Sequence, residues 1–355
     1  MSSMTDNPPD VSTTVFVGVD THKSTHHAAI VDYLGREVGD REFPTTAAGH
    51  ADLIAWITAA GTVERIGVEG TGSYGSTLST ALRAQDLEVV DVDRPDRRSR
   101  RFQGKSDPLD ARSAARAALT GNATTIPKSH DGTVEAIRFL HNARHSAVKA
   151  RAEAITQLKS MIVNAPDPIR TDLRQLTDAK LFAACASLPP AARRPVDLDS
   201  AVGAALRSVA LRIQDLTAEE RILAIQIEAL VAAHAPHLLA RFGVGASTAA
   251  QLLITVGDNP ERVTSEGSFA RLCGVAPIPA SSGKTQRHRL DRGGDRQANR
   301  ALYTIAITRL RSDERTQQYR DRRLAEGKTP REITRCLKRA IAREIFGLLK
   351  PTPSP

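Results

Sequence analysis

Between residues 14 and about 125 the chain alternates short β-branched runs with stretches suited to helices, a rhythm that points to an α/β sheet domain. In TVFVGVD (14–20), Val15, Val17 and Val19 alternate with smaller or polar residues, and the run ends on Asp20. HHAAIVDYLGREV then reads as a second strand and a turn. RIGVEGTGSYG (65–75) is another apolar strand, broken by glycine immediately after Glu69. In KSDPLDARSAARAAL (105–119), Asp107 precedes Pro108 at the start of an Ala-rich helix. The expectation is an N-terminal α/β domain with a mixed sheet.

Asp20 and Glu69 thus stand at strand ends, while Asp107 and Asp110, three apart, share a helix face. Clustered carboxylates repel one another unless a hard divalent cation neutralises them, and all-oxygen ligands suit Mg²⁺ or Mn²⁺. Such a site binds phosphate oxygens and activates a nucleophile. Asp107 and Asp110 alone are equally explained as a helix cap and a favourable dipole contact. That reading leaves the acids at two strand ends unexplained, together with the arginines Arg97, Arg98, Arg100 and Arg101 of the adjacent RPDRRSRRFQGK. The four acids are therefore read as a metal site, with Asp91 and Asp93 as substitutes for one ligand.

Further along, Thr133 to Asn164 and Ser200 to His234 have the texture of long helices. Leu206, Val209, Ile213, Leu216, Leu223, Ile227 and Leu230 fall at three- and four-residue steps, interrupted near Glu219 and Glu220. The two helices would form an antiparallel hairpin, or pair with another protomer as a coiled coil. APDPIR (165–170) and LPPAARRP (188–195) read as breaks. HLLARFGVGASTAAQLLITVGD (237–258) has the helix–hairpin–helix pattern, in which Gly243 and Gly245 would present backbone N–H groups to a phosphate; a plain tight turn is the alternative.

The net charge of +9 favours a polyanionic partner. From Arg287 to Arg323 eleven Arg face five acids, a composition suited to phosphate contact. PIPASSGKTQRHRLDRGGDRQANRAL (277–302) puts Ser281 and Ser282 ahead of Lys284, Arg287, Arg289 and Arg292. A serine hydroxyl needs an activating base or metal and nearby cations to act as a nucleophile. SSGKT lacks the glycine, spacer and strand of a nucleotide-binding loop, which excludes that use. Cys185, Cys273 and Cys336 match neither a zinc pattern nor a disulfide framework and read as reduced thiols. No apolar run is long enough to span a bilayer, and MSSMTDNPPDVST is a polar tail rather than a signal peptide, so the expected compartment is the cytoplasm.

VGVDTHK, VEGTGSYG, KSDPLDARSAA, FGVGASTAAQLL and SSGKTQRHRLDRGGDRQANRAL together, and in this order, resemble the DEDD transposases of bacterial insertion sequences, the one-ten family. The resemblance implies a Holliday-junction-resolvase-like (RuvC-like) domain of ribonuclease H fold, a helical coiled-coil middle and a mostly helical C-terminal transposase domain with a catalytic serine. It carries the acidic tetrad onto Asp20, Glu69, Asp107 and Asp110 and the serine onto Ser282, with Ser281 beside it. The family's Lys-Arg-Gly and Asn-Pro are replaced here by Asp291-Arg292-Gly293-Gly294 and Asp93-Arg94-Pro95. It also implies recombination through a phosphoserine, guided by an element-encoded RNA, with element ends and target DNA as partners and a homodimer or homotetramer as the working form. The expected division is a tail (1–13), the acidic domain (14–125), a helical middle (126–235), the serine domain (236–325) and a last helix with its tail (326–355). A metal-dependent junction nuclease without a covalent intermediate, or a non-catalytic nucleic-acid-binding protein, are the alternatives.

Overall fold

A computed structural model describes residues 13–92, 106–190, 197–280 and 288–349. The chain divides into two compact units, residues 1–132 with 256–264, and residues 133–255 with 265–355.

In the first unit β1 (Thr14–Thr21), β2 (Thr25–Asp32) and β3 (Glu37–Pro44) form an antiparallel meander. β4 (Thr62–Glu69) and β5 (Val89–Val92) then run parallel to β1, giving the order β3-β2-β1-β4-β5. Helices α1 (Ala47–Ala60) and α2 (Ser76–Arg83) lie between strands in the chain, and α3 (Asp107–Leu119) follows them. The alternation expected at the N-terminus is present. Val15, Val17 and Val19 face a core shared with Ile66, Val68, Leu53, Ile57, Leu78 and Leu82. The opposite face of the same strands is covered by α3, whose Ala111, Ala114, Ala115 and Ala118 are buried.

Two glycines explain how closely that helix sits. A Cβ on Gly18 would stand 2.0 Å from the Ala111 carbonyl oxygen, and one on Gly67 would stand 2.6 Å from that of Ala114. Side chains alternate across a strand. Glycine in the middle of β1 and β4, met by alanine on the helix, therefore lets backbone approach backbone.

The segment 256–264 belongs to this unit through polar bonds. Asn259 Nδ2 donates to the Pro127 carbonyl at 2.9 Å, its Oδ1 accepts from Ser129 N at 3.1 Å, and Arg262 Nε donates to the Ile126 carbonyl at 2.9 Å. From the sequence these residues were expected in the serine domain; their backbone-directed side-chain bonds are not visible as any periodicity.

In the second unit α4 (Thr133–Val163) and α7 (Leu198–His234) match the two long helices expected. Ala154, Leu158 and Ile162 pack with Leu206, Val209, Ala210 and Ile213, joined by Leu173 of α5 (Asp167–Leu173) and by Leu181 and Cys185 of α6 (Asp178–Ala186). Within the chain the two long helices form a hairpin. The acidic step at Glu219 and Glu220 interrupts the apolar stripe without breaking the helix, and Glu220 is neutralised by Arg144 at 2.9 Å and Arg151 at 2.5 Å, both from α4.

The rest of the unit comprises α8 (Pro236–Leu239), α9 (Ala246–Val256), α10 (Glu266–Leu272), the ribbon β6 (Ile278–Pro279) and β7 (His288–Arg289), α11 (Arg296–Ser312), α12 (Glu314–Ala325) and α13 (Pro330–Leu349). The helix ahead of Gly243 is thus one short turn that ends at Leu239. Gly243 takes φ +80, and a Cβ there would meet Arg309 and the Ile305 carbonyl of α11, so the turn requires glycine. Gly245 N donates to Thr248 Oγ1 at 3.1 Å, which occupies one of the N–H groups expected to face a phosphate. A mixed α/β N-terminal part and a mostly helical remainder agree with the sequence expectation. Among the described residues no helix is long and apolar enough to cross a membrane.

Candidate functional site

Val19 pairs with Val68 in the parallel ladder, so Asp20 and Glu69 follow side by side at the C-terminal ends of adjacent strands. Each stands two residues beyond a glycine that admits α3, and therefore on the face that α3 covers. Seating α3 on Gly18 and Gly67 carries the start of that helix to the same strand ends.

The outcome is a compact polar group. His22 Nε2 lies 3.1 Å from Asp20 Oδ2 and 3.3 Å from Asp107 Oδ1. One ligand atom from each of Asp20, His22 and Asp107 falls within 4.8 Å of the others. Asp20 is 6% exposed and Asp110 is 4% exposed. Burial pushes the Asp20 carboxyl above its ordinary pKa; His22 opposes this, and the negative charges of Asp110 and Asp107 push it further up. The Glu69 carbonyl accepts from Thr21 Oγ1 at 2.7 Å, which fixes the end of β4 against the end of β1. Two carboxylates with an imidazole are a donor set that suits a divalent cation, and the mutual repulsion is what a cation relieves.

The capping explanation of Asp107 is not the one realised. Ser106 holds the N-cap position of α3, and the carboxylate of Asp107, the first helical residue, is beside His22. Asp91, weighed as a substitute ligand, accepts from Thr71 Oγ1 at 2.6 Å and takes part in a backbone bridge with Thr125. Asp93, Arg97, Arg98, Arg100, Arg101, Ser281, Ser282, Lys284 and Arg287 lie outside the described residues. Arg289 and Arg292 are described and exposed.

His22 escaped the sequence reading, although VDTHK places it two residues past Asp20. It sits in the turn between β1 and β2, with its backbone N donating to the Thr25 carbonyl. A pair of histidines lies nearby in the chain. His26 of β2 is fully buried and stacks on His50 of α1 with ring centroids 5.5 Å apart. Neither ring nitrogen of His26 has a hydrogen-bond partner among the described residues. Burial, aided by the charges of His50 and His22, pushes the His26 pKa down to about 4.

A strand-end acidic site beside an Ala-rich helix thus stands in a chain that also carries an arginine-rich helical unit. Two family models match in chain order. The DEDD-type IS110 transposase model covers residues 17–165, and the transposase IS116/IS110/IS902 family model covers residues 235–321. The chain belongs to the IS110 family of transposases. It is 36% identical over 146 residues to the insertion element IS110 uncharacterized 43.6 kDa protein of Streptomyces coelicolor, a match covering 40% of this chain and 36% of that protein. It is 29% identical over 118 residues to the insertion element IS900 uncharacterized 42 kDa protein of Mycobacterium paratuberculosis, covering 33% of this chain and 30% of that protein. These matches thus span about a third of the length of the curated relatives.

Proposed function

We propose that the protein excises and inserts an insertion-sequence element by cleaving and rejoining DNA strands through a phosphoserine intermediate, guided by an RNA that the element encodes. The observation that carries the reading is the convergence of Asp20, His22 and Asp107 at the C-terminal end of β1, in a chain of a transposase family. The sheet order β3-β2-β1-β4-β5 with β1–β3 antiparallel supports a ribonuclease-H-like assignment, in which Glu69 and Asp110 complete the acidic set.

Asp20, His22 and Asp107, with Asp110 and Glu69 beside them, would hold Mg²⁺ or Mn²⁺. When bound, the cation supplies a Lewis acid that draws charge from phosphate oxygens. Ser282 Oγ attacks the scissile phosphorus and forms a P–O bond to serine as the P–O bond to one deoxyribose oxygen breaks; that oxygen leaves as a hydroxyl with the proton given up by the serine. Reversal at a new strand restores the serine and a phosphodiester, so the bond energy is conserved without a nucleotide cofactor. Arg289 and Arg292, with Lys284, Arg287 and the Arg97 to Arg101 cluster, neutralise strand phosphates. Base pairing with the guide supplies sequence choice, in keeping with an aromatic content of 4% that leaves few side chains to stack on bases.

Denaturing gels of reactions halted on cognate DNA and guide RNA test the reading. A protein–DNA adduct is expected, mapping to the peptide around Ser281-Ser282-Gly283, and Ser282→Ala removes it while DNA binding persists. An adduct lost only with Ser281→Ala moves the role to that neighbour. Free DNA ends that survive both substitutions indicate hydrolysis at the acidic site and overturn the serine mechanism.

A further inference from the structure

Within the second unit the segment Gly274 to Pro277, strand β7 and helix α13 line a cavity of about 400 Å³. Pro277 and Leu290 form an apolar part of its wall, and the cations in the lining outnumber its two carboxylates, Asp291 and Glu332. Those two are already engaged: Asp291 accepts from Gly293 N at 2.9 Å, and Glu332 accepts from Thr329 N and Oγ1 at 2.9 and 2.8 Å. Arg339 and Arg343 are held outside the cavity's acids, by Glu266 at 2.8 and 2.7 Å.

Arg289, Lys328, Arg335 and Lys338 remain. Among the described residues none of the four makes a salt bridge, the charges of Lys328 and Arg335 act on Glu332 from a distance, and Lys338 is only 7% exposed, with Nζ donating to Asn299 Oδ1 at 2.7 Å. Burying an ammonium beside other cations is costly unless an anion faces it. A compact anion alone would fill little of this volume and would leave the Pro277 and Leu290 wall uncovered. A phosphate attached to a nucleoside meets both surfaces.

We infer that this cavity is a phosphodiester-binding site for a nucleic-acid strand, in which Arg289, Arg335 and Lys338 hold phosphate oxygens and Pro277 and Leu290 underlie the adjoining nucleoside. This rests on the nucleic-acid reading above. β6 and β7 are the ends of the segment that carries Ser281 and Ser282, so a strand gripped here is tied in the sequence to the candidate nucleophile. DNA and guide RNA present the same phosphate chemistry.

The test is fluorescence anisotropy across a salt series, using labelled single-stranded DNA in one arm and RNA of the same sequence in the other. Arg335→Gln with Lys338→Met is expected to weaken binding about tenfold for each cation removed and to reduce the slope of log K against log salt by roughly 0.7 for each. Ala340→Glu places a carboxylate in the lining from an exposed helix position without removing a buried group, and is expected to weaken binding even if the double variant fails to fold. A loss confined to one arm assigns the site to that nucleic acid, and a loss in both assigns it to the shared phosphate. Unchanged affinity and slope for Ala340→Glu in both arms overturn the proposal. If the wild type recombines while the variants bind normally, only the cavity assignment falls. If the wild type binds neither strand, the functional reading falls with it.

Discussion

Gly18 in β1 lies so close beneath Ala111 of α3 that a Cβ on the glycine would stand 2.0 Å from the alanine's carbonyl oxygen. Backbone cannot yield by an ångström without moving the helix, and α3 bears Asp107 and Asp110 at its start. Structural stability and assembly of the candidate metal centre therefore hang on the same contact.

Gly18→Ala is accordingly expected to destabilise the first unit by about 1–3 kcal/mol, the usual cost of overpacking a filled core, and to lower divalent-cation affinity in the same step. Urea denaturation and cation titration on the purified protein check both. A variant as stable as wild type that binds the cation normally contradicts the close seating of the helix.

Asp107→Ala combined with Asp110→Ala is expected to abolish strand cleavage in a folded protein. With Ser106 at the N-cap position, the variant loses favourable helix-dipole contacts worth about 0.3–1 kcal/mol each. It also relieves repulsion with Asp20, so its melting temperature in chelator should stay close to that of wild type. Mg²⁺ should raise the wild-type melting temperature and leave that of the variant unchanged. Full recombination by the double variant in Mg²⁺ would count against the metal reading.

His22 brings an imidazole to a group otherwise made of carboxylates, so Mn²⁺ is expected to bind with a nitrogen ligand. Pulsed electron paramagnetic resonance on the Mn²⁺-loaded protein should show ¹⁴N coupling that disappears in His22→Ala. Bound Mn²⁺ without such coupling would remove His22 from the ligand set while leaving the carboxylates in it.

His26 supplies a pH dependence with a definite sign. Its pKa in the fold is about 4, against the ordinary 6.5, so above 6.5 it is neutral both folded and unfolded and costs nothing. As the pH falls from 6.5 towards 4, the unfolded chain takes up a proton that the buried ring refuses. Stability then drops by up to about 3 kcal/mol. Denaturation across this window should show a steeper loss for wild type than for His26→Leu; equal slopes would mean that the ring is not buried neutral.

Much of the architecture is legible in the sequence because it repeats at short range. The alternation of Val15, Val17 and Val19 marks β1, and the long helices at Thr133–Val163 and Leu198–His234 appear within two residues of their expected ends. Asp20 and Glu69 at strand ends, and Asp107 and Asp110 at a helix start, are likewise local features. The helix before Gly243 is a separate single turn opened by Pro236, which apolar content alone does not reveal.

By itself the sequence determined the elements and the residue types that carry charge, since periods of 2 and 3.6 and the chemistry of caps act over a few neighbours. Tertiary structure alone decided that Asp20, His22 and Asp107 come together at the C-terminal end of β1, that Asp91 is engaged by Thr71, and that Lys338 is buried with its Nζ on Asn299. The physical reason is that these meetings join elements far apart in the chain. Whether they occur depends on how closely two surfaces pack, and at Gly18 and Gly67 that distance is set by side-chain atoms that are missing.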